Sequence, residues 1–578
     1  MKILGLSCFY HDAAACLLDN GVLVAAASEE RFSRRKQDSD FPVSAIRYVL
    51  AEGGYQVEDL DAVVFYDKPI LKFERLLRSQ LHTFPMSFSH FVDGMPRWMA
   101  TRLRLPKMLK SELGYTGPLL YSEHHLSHAA SSFFTSGWDE AAILTVDGVG
   151  EWTTASWGVG RGNQITIKGD IHFPNSLGLL YSAFTWYCGF KVNSAEYKLM
   201  GLAPYGQPRF VEAIRELVQI APDGTFALDM KYFDFVKGTR MFNRRFEELL
   251  GRPRRPLHAE DMDEHYKDVA RSIQVITEEI MVKLARSTME RTGLDRLCLA
   301  GGVALNCVAN GAIIRDSGVK DLWVHPAAGD AGGAVGAAML LWHQLLGNPR
   351  QPRMASPYLG PAYDEDAIRD ALDIHGAVYQ RMDRQELLDE VSAQVDTAHV
   401  VGWYQDRMEW GPRALGHRSI LGDPRHPEMR SIINMKIKMR EGFRPFAPTV
   451  LESHLKDWFD LDRPSPYMLL VAPVRADAPP LPAITHVDGS ARVQTINAQQ
   501  DPLYHDLIQT FFRRTGCPVM INTSMNVRGE PIVNTPEDAY LCFMCTHMDA
   551  LAIGPFFLRK EQQPKLELET AAEAFGLD

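Results

Sequence analysis

No stretch of this chain stays apolar for the roughly 20 residues that a helix needs to cross a bilayer, and Met1–Ser7 (MKILGLS) reads as a strand rather than a signal peptide. A cytoplasmic protein with no membrane partner is therefore expected. Positive charge is also short: 61 Lys and Arg stand against 72 Asp and Glu, a net charge of −11. That balance lacks the basic surface with which nucleic-acid binders displace counterions, so no nucleic-acid partner is expected. The eight cysteines are scattered, as in a reducing compartment. Cys542 and Cys545 form a CxxC, but its setting, LCFMCTH, is apolar and has no second pair, and a bare CxxC says little. Low-complexity segments are absent too.

What remains, 46% hydrophobic and 23% charged, is an ordinary globular composition, and 578 residues exceed what one core supports, so two or three domains are expected. The chain opens with the strand KILGLS, the loop CFYHD, the strand AAACLL, the turn Asp19-Asn20-Gly21 and VLVAAAS. Asn-Gly between apolar runs predicts a hairpin, because both residues tolerate positive φ. The pattern returns in AAILTVD, GVGEW, TTASWGVG, the turn Arg161-Gly162-Asn163 and QITIKGDI. A unit met twice predicts a duplicated α/β domain with ligand in the cleft between its halves. Farther on, periodicity predicts a helix over 266–291 stopped by Gly293, then the strand LCLA, the turn GGVALN, a helix, the strand DLWVHP and a helix in GDAGGAVGAAMLLWHQL. Such alternation predicts a mostly parallel sheet. The Pro-rich, polar stretch Gly347–Pro357 separates domains over 1–346 and 358–578, and Met468–Val474, APPLPAI and Cys517–Asn522 read as strands and loops of an α+β unit.

His124 and His128, in YSEHHLSHAAS, are four apart and share one helix face. Asp147, in AILTVDGVG, and Asp330, in HPAAGDAGG, each follow an apolar or extended run into a glycine-flanked loop, where α/β active sites collect. Two imidazoles and two carboxylates suit iron, manganese or zinc as a Lewis acid. Taken singly, the histidines also fit plain packing and Asp330 fits a helix N-cap. His125 points to a different face. His11, closing the first strand, could take a proton from an attacking hydroxyl or make a structural hydrogen bond, and both readings stay open.

Glycine turns in AGGVALN (Ala300–Asn306), SLGLLYS (Ser176–Ser182) and EYKLMGLAPYG (Glu196–Gly206) could let backbone approach a nucleotide, with Lys198 as phosphate-neutralising cation; tight packing is the commoner use of such turns. Arg430–Arg444 (RSIINMKIKMREGFR) holds five basic residues against one acidic. As a strand, Lys436, Lys438 and Arg440 share a face; as a helix, Lys436, Arg440 and Arg444 do. With Arg413, Arg418, Arg492 and Arg528 beside glycine or short polar residues, the second domain is expected to bind anions.

Over nearly its whole length the chain resembles the NodU/CmcH-type O-carbamoyltransferases. The resemblance rests on FYHDAAACLLDNGVLVAAASEERFSRRK, HHLSHAASSFF, LTVDGVGE, EYKLMGLAPYG, AGGVALN, GDAGGAVGAA, MEWGPRALGHRSILGDPR, KIKMREGFRPFAP and INTSMNVRGEPIVNTPEDA, in that order. It implies an N-terminal domain of duplicated actin/hexokinase-like fold, similar to the threonylcarbamoyltransferase, and an α+β YrdC-like C-terminal domain. It implies further that the latter converts carbamoyl phosphate and ATP, with Mg2+, into carbamoyl adenylate held by Lys438, Arg444, Arg492 and Arg528 with help from Arg413 and Arg418. The N-terminal domain would then pass the carbamoyl group to a hydroxyl of a small natural product or sugar. There the resemblance assigns Fe2+ or a similar ion to His124, His128, Asp147 and Asp330, nucleotide contacts to Lys36, Gly178, Lys198, Gly201, Gly301, Gly302 and Asn306, and the base to His11. Asp67–Tyr115 matches no motif of that family and reads either as an acceptor pocket or as packing helices. A kinase or phosphatase of the same fold is the alternative, but it leaves the histidine pair and the basic second domain unexplained. A tRNA-directed factor conflicts with the acidic charge. The assembly, monomer or homodimer, is left open.

Overall fold

The computed structural model describes residues 1–564 apart from 86, 89–91, 93–101, 239, 258–261, 439–441 and 443. Two units divide it: Met1–Glu29 with Gln37–Met354, and Glu30–Lys36 with Ala355–Asp578. Part of Asp67–Tyr115, the segment without a family motif, and Arg440 thus lie outside the described residues.

In the first unit, β1 (Lys2–Ser7), β2 (Ala14–Asp19) and β3 (Val22–Ser28) form an antiparallel meander. β4 (Ala62–Phe65) and β5 (Leu119–Tyr121) add in parallel on the other side of β1, giving the order β3-β2-β1-β4-β5. The first hairpin turns at Asn20 and Gly21, whose φ values of 48° and 83° are the left-handed ones this pair tolerates. β6 (Glu140–Val146), β7 (Thr153–Arg161) and β8 (Gln164–His172) repeat the meander. A two-stranded ribbon, β9 (Val218–Ile220) and β10 (Phe226–Leu228), comes next. β11 (Arg296–Ala300) and β12 (Asp321–Val324) then add in parallel beside β6, in the order β8-β7-β6-β11-β12. Both sheets have one topology and the same strand senses. This is the duplicated α/β domain that the repeated hairpin predicted, and the actin/hexokinase-like fold that the resemblance implied.

Four helices place the chemistry: α1 (Pro69–Thr83), α2 (His124–Ser136), α3 (Glu264–Thr292) and α4 (Asp330–Met339). α3 ends at Gly293, with φ 68°, as its sequence predicted. α2 packs on β6 and β11, α4 packs on β1, β2 and β4, and the two helices pack on each other. That sandwich buries both. Its closeness depends on small residues: a Cβ on Gly336 of α4 would sit 1.8 Å from the carbonyl oxygen of Ser127, and one on Gly5 of β1 would sit 2.1 Å from that of Ala334.

The second unit is α+β, built on a nine-stranded mixed sheet. Its strands are β13 (Gln380–Arg381), β14 (Val401–Tyr404), β15 (Arg418–Gly422), β16 (Ala447–Leu451), β17 (Leu470–Pro473), β18 (Ser490–Ile496), β19 (Val519–Ser524), β20 (Ala550–Ile553) and β21 (Phe556–Arg559). They run in the order β13-β21-β20-β14-β15-β19-β16-β18-β17. The basic segment is no strand: Met429–Ile432 is α-helical and Ile433–Ile437 continues it as a π turn. Cys542 and Cys545, at the end of the helix Pro536–Met544, are free thiols, and burial pushes both up in pKa, away from reactive thiolates. Among the described residues no helix is long and apolar enough to cross a membrane.

Candidate functional site

His124 opens α2 and His128 follows one turn later, so both imidazoles leave the same face. Asp147 is the first residue after β6, and Asp330 the first of α4. The cap of α4 is Gly329, so Asp330 does not serve as its N-cap. His124 Nε2 lies 2.9 Å from Asp147 Oδ2, 3.6 Å from Asp330 Oδ1 and 3.1 Å from His128 Nε2. His128 Nε2 lies 3.7 Å and 3.5 Å from the same two carboxylate oxygens. All four side chains are buried, and one ligand atom from each falls within 4.8 Å of the others. Four nitrogen and oxygen donors bonded tetrahedrally to one ion would sit about 3.4 Å apart. The observed spacings bracket that value. Ring nitrogens face each other beside Asp330 Oδ1, which has no hydrogen-bond partner among the described residues, and a divalent cation would complete this donor set. His125 turns away: its Nδ1 meets Thr145 Oγ1 at 2.7 Å, and burial holds its pKa well down.

Burial alone would raise both carboxyls. Hydrogen bonds from His124 and His128 outweigh it at Asp147, and the charges of His11 and His124 do so at Asp330, holding both well below the usual carboxylate range. Burial presses His128 down, yet Asp147 and Asp330 lift it to about 9. His11 sits on the β1–β2 loop between Phe9 and Asp12, whose φ values of 73° and 54° are left-handed. Its Nδ1 lies 2.9 Å from Asp12 Oδ2 and its Nε2 3.9 Å from Asp330 Oδ2. Burial again acts downward, but Asp330 and Asp12 prevail and hold His11 at about 10.

Two of the three predicted glycine turns gather around Asp147, and the third is the helix Glu196–Leu202. The Gly302 N–H donates to Asp147 Oδ1 at 2.9 Å, and a Cβ on Gly178 would lie 2.7 Å from the Asp147 carbonyl oxygen. Gly301, with φ 95°, brings its backbone against Val146. Asn306 is engaged in structure: it caps the helix Cys307–Asp316 through the Ala309 N–H and exchanges hydrogen bonds of 3.2 Å and 3.1 Å with Gln274 of α3. Lys198, buried, and Gly201 share the helix Glu196–Leu202, whose Met200 sulfur meets Cys307 Sγ at 3.7 Å. Lys36 falls in the second unit, unlike the other expected nucleotide contacts. Two residues went unpredicted. Tyr66 donates its hydroxyl to Asp330 Oδ2 at 3.2 Å, and Glu151 accepts the His124 backbone N–H. Local sequence marked neither, since each acts across paired loops.

In the second unit, Arg492 and Gln494 share one face of β18 by strand alternation. Gln494 donates to the Leu415 carbonyl at 2.7 Å and accepts from Asn522 and Thr449, each at 2.7 Å, so the loop carrying Arg413 lies over that face. Lys438 is buried and donates to Asn526 Oδ1 at 2.7 Å and to the carbonyl of Ser524, which shares the face of Asn522 on β19. Arg528 follows β19, and Arg444 leads into the neighbouring β16, its carbonyl accepting from Asn434 at 2.9 Å. Arg418 needs correction. Its guanidinium is fully buried, stacked 3.7 Å from the Tyr404 ring centre and donating to the carbonyls of Gln405, Asp406, His417 and Pro361, so it braces backbone instead of clamping phosphate.

A duplicated actin/hexokinase-like unit with a buried His-His-Asp-Asp set, followed by an α+β unit with basic residues on and beside neighbouring strands, is a framework suited to group transfer. The chain belongs to the NodU/CmcH-type carbamoyltransferase family: Carbamoyltransferase N-terminus matches residues 2–339 and Carbamoyltransferase C-terminus matches residues 392–560. It is 50% identical over 617 residues to an uncharacterized protein of Synechocystis sp., covering 100% of each chain. Nodulation protein NolNO of Sinorhizobium fredii is 36% identical over 96% of this chain and 79% of its own length. The 3'-hydroxymethylcephem-O-carbamoyltransferase of Amycolatopsis lactamdurans is 32% identical over 49% of this chain and 52% of its own.

Proposed function

We propose that this enzyme is an ATP-dependent O-carbamoyltransferase acting on a hydroxyl of a small natural product or sugar, with carbamoyl phosphate as donor and no nucleic-acid or membrane partner. In the YrdC-like second unit, Arg444, Arg492 and Arg528, with Arg413, hold carbamoyl phosphate and the phosphates of Mg2+-bound ATP, while Lys438, expected among them, donates to Ser524 and Asn526 and braces the segment that carries Arg528. The atoms balance if carbamoyl phosphate loses phosphate to water and the resulting carbamate oxygen attacks the α-phosphorus of ATP, expelling pyrophosphate. Carbamoyl is a poor electrophile because nitrogen donation blunts its carbonyl, and the adenylate supplies a better leaving group.

In the first unit, His124, His128, Asp147 and Asp330 would hold Fe2+ or a similar divalent ion, which supplies Lewis acidity beside the phosphate. The glycine backbone at 178, 301 and 302, with Lys198, Gly201 and Asn306, borders the adenylate. An ion held by Asp330 would offset the carboxylate charge that lifts His11, and His11, then neutral, would accept the acceptor's proton at Nε2 as its oxygen bonds to the carbamoyl carbon and the bond to AMP breaks. The supporting observation is the imidazole of His11 at the edge of the buried quartet, 3.9 Å from Asp330.

Pyrophosphate release from ATP, with and without carbamoyl phosphate, tests the first half, and mass detection of a carbamoyl adduct on a panel of hydroxylated compounds tests the second. His11→Asn is expected to abolish the adduct and leave pyrophosphate release intact. Arg444→Ala is expected to lose pyrophosphate release and, with it, the adduct, which added carbamoyl adenylate restores. Loss of both half-reactions in His11→Asn, or no rescue of Arg444→Ala, would sink this division of labour.

A further inference from the structure

Neither α1 nor α2 is capped by its own N-cap side chain: Lys68 and Glu123 hold the N-cap positions without a side-chain cap bond. Glu151, from the loop after β6, does the work for both. It is buried, its Oε1 and Oε2 accept the His124 N–H at 3.1 Å and 3.2 Å, and Oε1 also accepts the Lys68 N–H at 2.8 Å. A carboxylate there meets orphan N–H groups and the positive ends of two helix dipoles together. The same loop begins with Asp147, and Gly150 lets it close in, since a Cβ there would lie 3.0 Å from the Cβ of His124.

Every branch of that brace leads to the quartet. α2 carries His124 and His128. Two residues before Lys68, Tyr66 hydrogen-bonds Asp330. Asp147 and Glu151 are four apart on one short loop. We propose that Glu151 is a positioning residue of the transfer site, fixing the first turn of α2 and the start of α1 so that the two imidazoles meet the two carboxylates. The inference rests on the reading of the quartet as an ion site.

Glu151→Gln and Glu151→Ala, in the full chain, test it by titration with Co2+ followed by visible absorption, beside amide hydrogen exchange and pyrophosphate release. Partners that orient metal ligands are typically worth about 10–100-fold in affinity. Co2+ affinity is expected to fall by that much, more for Ala than for Gln, with an altered absorption band, faster exchange at 124–128 and unchanged pyrophosphate release. Wild-type affinity and band in both variants would overturn the proposal, and so would a uniform loss of stability with Co2+ binding intact. A wild-type enzyme that takes up no Co2+ would refute the ion site itself; exchange at 124–128 then decides, faster exchange in the variants sustaining the brace and unchanged exchange overturning it.

Discussion

His325 lies fully buried in the first unit, its Nδ1 accepting the Ala327 N–H at 3.2 Å, and burial holds its pKa at about 4. An unfolded histidine titrates near 6.5, so between about 6.5 and 4 the unfolded chain binds a proton that the native state refuses. The native state therefore keeps its full stability above that window and loses it as pH falls through it, by up to about 3 kcal/mol for this group. His325→Asn, which keeps an acceptor near Nδ1, is expected to flatten that slope in urea unfolding at pH 4.5 and 7; an unchanged slope would remove His325 from the account. Side chains like this one set the limit of what sequence discloses. His124, His128, Asp147 and Asp330 were legible because each carries a local mark: a one-turn spacing, or an acid entering a glycine-flanked loop. Tyr66 and Glu151 carry no such mark, because their work depends on which loops meet. Arg418 was misjudged for a related reason, since a glycine-rich polar setting suits an arginine aimed at phosphate and one aimed at backbone carbonyls equally well.

The helix α4 is nearly all glycine, alanine and valine, and that composition lets it lie between β1 and α2. Gly336→Ala would drive a methyl into the Ser127 carbonyl, where the ideal Cβ position is only 1.8 Å away, so the helices must part. Overpacking of this kind costs about 1–3 kcal/mol. Because Ser127 precedes His128, the parting also draws Asp330 from the imidazoles, so both the thermal midpoint and Co2+ affinity are expected to fall, as calorimetry and titration would read. A methyl accepted with neither change would mean the sandwich is looser than its geometry. Hairpins and long helices at this level were readable, from Asn-Gly and from the apolar stripe of α3. The basic segment was ambiguous because Ile433, Ile437 and alternating lysines favour a strand locally, whereas the fold winds the stretch to Ile437 into a helix with a π turn.

Composition placed one break between domains, near Gly347–Pro357. It could not show that seven residues from the N-terminal half, Glu30–Lys36, belong to the second unit. A boundary read along the chain assumes that neighbours in sequence stay in one body, and this segment leaves and returns. Within the second unit Arg34 pairs with Glu530 at 2.6 Å and donates to the carbonyls of Pro531 and Ile532 at 3.0 Å and 2.8 Å, while Arg31 donates to Gly411 at 3.0 Å. Arg34→Ala strips a partner from a buried acid whose carboxyl burial already raises, and is expected to destabilise that unit by about 2 kcal/mol in chemical denaturation. A midpoint unmoved by the change would show the ion pair to be idle.

Cutting the gene after Met354 would therefore not yield two finished proteins. The downstream product would lack an inner piece of itself, encoded far upstream, and should refold fully only when a short peptide spanning positions 30–36 is added back.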